Sequence, residues 1–273
     1  MPASRRSGFT LIELSIVLVI IGLLAGAILL GRDLIRASEF RKMYSQQQEF
    51  ASAINAFRTK YNCLPGDCPN ATRFFGSIAP GGPSVFCPPE ESLPDVPTCD
   101  GSGNGVIEEV PSPALPYYAD ETLLLWQHLA DAGLIAGLYS GTYYEGFTAR
   151  VRVGLNCPPM HSNRFCWRIT AQAGGLLFYD PAWTKQHVLL MWPQRVLAVP
   201  PTAAPSGISV LSGSEALGYD TKYDDGLPDH GAIRASHGYY SGPQCASVTP
   251  GGTYAYFGTA TSNDCLLAHG LGL

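Results

Sequence analysis

From Phe9 to Gly31 the chain reads FTLIELSIVLVIIGLLAGAILLG, 23 residues in which Glu13 is the only ionisable side chain. As a helix rising 1.5 Å per residue, such a stretch spans the roughly 30 Å hydrocarbon core of a bilayer. No proline interrupts the chain from Arg32 to Tyr61, and Phe50, Ile54, Phe57 and Tyr61 recur at i, i+4, i+7 and i+11 while Gln46, Gln47, Gln48, Glu49 and Arg58 populate other faces. The pattern predicts one helix from Phe9 to about Lys60, roughly 78 Å long, uniformly apolar in its first half and amphipathic in its second. Gly22, Gly26 and Gly31 are its weak points, and Gly22 and Gly26 form a small-xxx-small pair that permits close approach of another helix. Pro65-Gly66-Asp67 is a turn signal that ends it.

Beyond residue 61 the pattern breaks into shorter pieces. Nine prolines fall between Ser77 and Pro116, which predicts a long irregular loop. Asp120 is a plausible N-cap for a helix through about Ile135, with Leu124, Leu125, His128, Leu129, Ala132 and Ile135 on one side and Gly137 beyond it. Alternating or β-rich runs at 148–153, 165–170, 175–179 and 187–192 predict an antiparallel sheet folded against the long helix, and so an α+β head. Ser212 and Glu215 form a capping-box pattern for a further short helix.

Composition turns this pattern into a location. The chain is 46% hydrophobic and 14% charged, against roughly 25% charged in ordinary soluble domains. Disorder is therefore excluded, since it needs few apolar residues and a high net charge. The balance of -5 and the absence of any Lys/Arg-rich run argue against nucleic acid as a partner. Arg5 and Arg6 precede the apolar stretch, so the positive-inside tendency keeps residues 1–8 cytoplasmic and sends everything after Arg32 outward. All eight cysteines (Cys63, Cys68, Cys87, Cys99, Cys157, Cys166, Cys245 and Cys265) follow that segment. Disulfides suit an extracytoplasmic head better than zinc thiolates do. Sequential pairing is the simplest of the 105 connectivities, and Cys157, His161 and Cys166 supply only three zinc-type ligands at irregular spacing.

Chemistry-bearing motifs are few. No G-x-S-x-G, H-E-x-x-H, Walker A pattern or G-x-G-x-x-G before a helix is present, so no catalytic residue is expected. His128 reads as a packing residue of its helix. Asp100, Ser102, Asn104 and Glu108, with Gly105 between, follow the oxygen spacing of a calcium loop, but Pro111 stands where the bidentate glutamate belongs. Calcium and a simple Gly-rich turn are the two readings. Asp224, Asp225 and Gly226 likewise suit a turn, with Lys222 as internal counter-charge, or a second cation site.

The run Ser7-Gly8-Phe9-Thr10-Leu11-Ile12-Glu13-Leu14 resembles the prepilin signature of type IV pilins and type II secretion pseudopilins: a short basic leader ending in Gly, then Phe, an isolated Glu and an apolar tract. The resemblance implies a structural filament subunit rather than an enzyme. Prepilin peptidase would cut between Gly8 and Phe9 and N-methylate Phe9, leaving 265 residues with a balance of -7, and Glu13 would neutralise the Phe9 ammonium of a neighbouring subunit. Many family members carry a proline near the end of the apolar tract, and none stands here. The implied organisation is a leader (1–8), a transmembrane and filament-core half-helix (9–31), an amphipathic half-helix (32–60) and an extracytoplasmic head (61–273).

The implied partners are identical or sibling subunits, the peptidase, an inner-membrane platform protein, an assembly ATPase and the membrane. The implied location is the inner membrane of a Gram-negative bacterium before assembly, with the head periplasmic, and then a periplasmic pseudopilus or an extracellular pilus. Phe57 to Thr72, Trp126 to Ile135 and Asp220 to Asp229 further resemble segments of a group of prepilin-like proteins from Gram-negative bacteria. Calcium binding is known among major pseudopilins, and Cys245 and Cys265 look like the bridge that bounds the pilins' exposed C-terminal region. The rival reading is a secreted, disulfide-bonded hydrolytic or carbohydrate-binding domain cut at the small-x-small site after Ala27.

Overall fold

A computed structural model describes residues 10–76, 98–107, 121–141, 151–160, 165–171, 187–193, 210–237, 245–248, 254–256 and 263–271. Its first element, α1, is one continuous helix, Leu11–Tyr61, of 51 residues. Open space surrounds Gly22, Gly26 and Gly31, and none of them breaks the helix. The chain divides into two compact units, Met1–Met43 and Tyr44–Leu273, with the division falling inside α1. The helix ends at Asn62, which adopts φ 57° while its N–H donates to the Arg58 carbonyl at 2.9 Å. Asparagine tolerates that left-handed conformation better than most residues.

In the second unit the predicted stripe is the buried face of α1: Phe50, Ile54 and Phe57 lie in the core, and Tyr61 is half-buried at its edge. Phe50 meets Trp126 and Trp167 edge-on, at centroid distances of 4.9 and 6.3 Å. The adjoining polar positions do not simply face water. Gln47 is buried and its Oε1 accepts from the Tyr219 hydroxyl, while Gln46 accepts from Trp167 Nε1 and donates to the Pro159 carbonyl. Satisfied amides of this kind are tolerated inside a core.

Two further helices come next, α2 (Ala71–Phe75) and α3 (Glu121–Asp131). The α3 helix stops four residues before the expected Ile135. Gly133, at φ +70°, takes the left-handed position, Leu134 N–H reaches back to Leu129 O and Gly133 N–H to Ala130 O, which is a Schellman motif. Nor is α3 one-sided: every residue from Glu121 to Leu129 is buried. It is a core helix rather than a surface one.

The strands are β1 (Phe165–Ala171), β2 (His187–Pro193), β3 (Leu211–Ser212), β4 (Ile233–His237), β5 (Ala246–Val248), β6 (Tyr254–Tyr256) and β7 (Asn263–Leu271), with α4 (Gly213–Tyr223) between β3 and β4. Antiparallel pairing joins β1 to β2, β2 to β7, and β7 to both β3 and β4, while β5 and β6 form a separate hairpin. His269 is opposite both Leu189 and Ile233, so β2 and β4 flank β7. The architecture is therefore α+β, a long N-terminal helix with an antiparallel sheet head.

Two of the predicted strands, at 165–170 and 187–192, are β1 and β2. Residues 151–153 form no strand, and Val153 makes only an isolated bridge to Cys157; residues 148–150 and 175–179 lie outside the described residues. The central strand β7 was not expected, because Cys265, Leu266, Leu267 and Ala268 are all buried. A strand covered on both faces shows no period-2 alternation.

The bridges Cys63–Cys68, Cys157–Cys166 and Cys245–Cys265 are sequential, and Cys99 is also disulfide-bonded. Its expected partner Cys87, like most of the proline-rich loop, lies outside the described residues. The Cys157–Cys166 bond consumes both thiols of the zinc-like pattern. At α4 the capping box forms as expected, with Ser212 Oγ accepting from Glu215 N–H at 3.3 Å and Glu215 Oε2 accepting from Ser212 N–H at 2.8 Å. Ser212→Ala is expected to lower the unfolding free energy by about 1 kcal/mol, measurable by urea denaturation of the detergent-solubilised protein.

Candidate assembly site and the junction at the end of the long helix

The start of α1 is built by two residues. Thr10 N–H and Oγ1–H both donate to Glu13 Oε2, at 2.8 and 2.7 Å, and Glu13 N–H donates back to Thr10 Oγ1 at 3.3 Å. This is a reciprocal capping box, which satisfies donors a helix N-terminus otherwise leaves open. The T-x-x-E spacing that signals it stands in the sequence as Thr10-Leu11-Ile12-Glu13. Gly8 and Phe9, the expected processing residues, lie outside the described residues.

Around this carboxylate the helix is bare. Fifteen large apolar side chains from Leu11 to Ile35 are exposed, Leu11 at 88% and Ile12 at 68% among them. At about 1.5–3 kcal/mol for each such side chain buried, tens of kcal/mol of apolar burial are left unmade. A lipid core or other helices must supply it. The helix is long and apolar enough to cross a membrane, and its most apolar 18-residue window has none of its residues buried.

The other predicted segments converge at the opposite end of α1. His128 of α3 is fully buried; Gly66 N–H donates to its Nδ1 at 2.9 Å and its Nε2 lies 3.1 Å from the Cys99 carbonyl. The first bond fixes the tautomer, with the proton on Nε2 and donated to Cys99. Burial pushes the His128 pKa down to about 4, opposed by the Cys99 carbonyl and the Asp100 carboxylate. The Phe57 ring lies parallel to the imidazole, 6.1 Å between centroids. Gly66 cannot be replaced cheaply: at φ +88° a Cβ would strike the Glu121 carbonyl oxygen.

The Gly-rich segment wraps an anion of the same chain. The buried Asp67 carboxylate accepts from Ser102 Oγ at 3.0 Å, Asn104 N–H at 3.0 Å and Gly105 N–H at 2.8 Å. Asp100 accepts from Thr72 N–H and Oγ1, and Asn104 Oδ1 accepts from Val106 N–H. Asp100, Ser102 and Asn104 thus each bond a different partner, and Glu108 lies outside the described residues. Asp67→Ala is expected to cost about 2 kcal/mol, because three donors lose a charged acceptor; chemical denaturation of the purified protein measures it.

Farther along the chain, Asp220, Asp224 and Asp225 bring carboxylate oxygens within 4.8 Å of one another. Each also closes a local turn, accepting from Gly226, Ile233 and Leu227 N–H respectively. Lys222 does not act as their counter-ion: its Nζ sits over the Tyr223 ring, 5.3 Å from the centroid, and it joins no ion pair among the described residues.

Residues 3–29 match the family model described as the prokaryotic N-terminal methylation motif. The chain carries a type IV pilin and pseudopilin signature. The matched span takes in Gly8, Phe9, Thr10, Glu13 and most of the apolar tract, and leaves the head outside it. No curated protein and no solved structure matches the chain. Together with the bare helix, the motif fits a pilin-like protein anchored in a membrane before assembly with other subunits.

Proposed function

We propose that this chain is a subunit of a type IV filament, either a pilus or a type II secretion pseudopilus. In this reading prepilin peptidase removes residues 1–8 and N-methylates Phe9, and an inner-membrane platform and its ATPase extrude the mature chain into a helical bundle. The head is carried at the filament surface and the protein is not an enzyme. The observation that supports this most strongly is the coincidence of the methylation motif with a helix whose apolar side chains are exposed on every face around one carboxylate.

The assembly chemistry follows from that carboxylate. Thr10 occupies Glu13 Oε2, and the carboxylate retains capacity to accept further bonds. A neighbour's Phe9 ammonium, arriving in a low-dielectric bundle, would meet that acceptor, and paired charges cost far less there than separate ones. Gly22 and Gly26 would let adjacent helices approach closely. Electron microscopy of cells with and without the chain is expected to show filaments lost or shortened when it is absent. Unchanged surface filaments together with unchanged type II secretion would overturn the proposal.

A further inference from the structure

We propose that the turns of α1 just beyond the apolar tract form a cationic collar that binds the headgroups of anionic phospholipids, with phosphatidylglycerol as the chemistry it fits. Gly31 closes the tract, and Arg32, Arg36, Arg41 and Lys42 follow on the same unbroken helix. Arg36 is engaged: its guanidinium pairs with Glu39 at 2.8 Å and lies over the Phe40 ring. Arg32, Arg41 and Lys42 are exposed and join no ion pair among the described residues. Against these three cations stands one unpaired carboxylate, Asp33.

Helix geometry sets the depth of each charge. At 1.5 Å per residue Arg41 and Lys42 lie roughly 14 and 15 Å beyond Arg32 along α1. The headgroup layer on either side of a hydrocarbon core is roughly 5–8 Å deep, and charges just outside it still act across a Debye length of about 8 Å. Long basic side chains shorten the gap by bending toward the interface. With the tract across a bilayer, all three unpaired cations are therefore within electrostatic reach of the lipid phosphodiesters.

Their directions identify the occupant. At 3.6 residues per turn, Arg41 and Lys42 leave the helix axis about 180° and 280° around from Arg32. Leu34 and Ile35, between them in sequence, are exposed at 72% and 62%. A protein partner engages one face of a helix, whereas charges on several sides suit a medium that surrounds it. Directly above a hydrocarbon core, the surrounding medium that carries opposite charge is a layer of anionic headgroups. The inference rests on the membrane-anchored reading of α1 and is independent of filament assembly.

The test reconstitutes the full chain in phosphatidylcholine vesicles doped with spin-labelled phosphatidylglycerol or spin-labelled phosphatidylcholine. Electron paramagnetic resonance then reads the fraction of each probe held at the protein. Resistance to carbonate extraction, measured first, is expected in both preparations and establishes insertion. Phosphatidylglycerol is expected to associate about threefold or more over phosphatidylcholine at low salt. The preference should fall toward equality at molar salt, where the Debye length shrinks to about 3 Å. Combining Arg32→Gln, Arg41→Gln and Lys42→Gln, exposed changes that keep helix propensity, is expected to bring the ratio to about one. Arg58→Gln with Lys60→Gln, on the same helix roughly 40 Å beyond Gly31, is expected to leave it unchanged. Equal association by an inserted wild-type chain would overturn the proposal and assign the collar to a protein partner. A preference that survives the triple variant, or one lost equally in the Arg58 and Lys60 control, would also overturn it. A chain that fails to insert overturns the membrane-anchored reading as well, so the two failures are distinguishable.

Discussion

Glu13→Ala is expected to leave the chain in the membrane, cut and methylated at Phe9, yet reduce filament yield at least tenfold. The carboxylate sits among exposed apolar side chains, with Leu11, Ile12 and Leu14 beside it, and a charge there costs about 2.5–3.5 kcal/mol on insertion scales. Removing it should therefore ease membrane insertion. In the proposed bundle the balance reverses: the neighbour's Phe9 ammonium would lose its counter-charge, and breaking a buried pair in this way costs about 3–5 kcal/mol. The capping box with Thr10 supplies the discriminating variant. Glu13→Gln keeps an acceptor for the Thr10 donors but removes the charge, so it is expected to fail in assembly like the alanine variant. Wild-type filament yield from Glu13→Gln, measured by shearing and immunoblotting, would assign Glu13 to helix capping alone.

The second large effect lies at His128. His128→Leu is expected to destabilise the head by about 4 kcal/mol, since the buried Gly66 N–H and Cys99 carbonyl both lose their bond to the ring. Acid should act on the same bonds. The folded state holds His128 neutral, with its pKa pushed to about 4, whereas the unfolded chain protonates it near 6.5. The unfolded state thus binds more protons between those values. Stability is complete above about pH 6.5 and falls as the pH drops toward 4, by about 3 kcal/mol over the interval. Burial also lowers the pKa of His187 and His269, which adds to the slope in the same direction. Urea midpoints at pH 7 and pH 4.5 measure the change, and the His128→Leu protein is expected to show a shallower dependence. A wild-type midpoint independent of pH over this range would contradict the assignment of His128 as a neutral, doubly bonded ring.

How much of this was legible in the sequence differs from one end of α1 to the other. The apolar run and its lone carboxylate identify the first half directly, because a membrane-length stretch with one charge has few physical explanations. The capping partner was equally visible as Thr10-x-x-Glu13 and was overshadowed by the charge. At the other end, Pro65-Gly66-Asp67 announces a turn, and Asp120 to Ile135 announces a helix. Nothing in either says that His128 joins them, since the bonds run to Gly66 and Cys99, 62 and 29 positions away.

The backbone N–H groups of Asn104 and Gly105 bond the carboxylate of Asp67, 37 and 38 positions away, a contact that the spacing of the Asp100 to Glu108 oxygens does not announce. His187 carried no signal at all, because its isolated position at the start of a strand gives no hint of the Ile107 N–H that fixes its tautomer.

The first residue of the mature chain separates a processed filament subunit from an ordinary secreted domain. Intact-mass and amino-terminal fragment spectra of the protein purified from its native membranes or filaments are expected to show residues 1–8 absent and one methyl group on the Phe9 amine. A mature chain beginning at Ile28 would instead identify an ordinary secreted domain, and an uncut leader would remove processing from the account altogether.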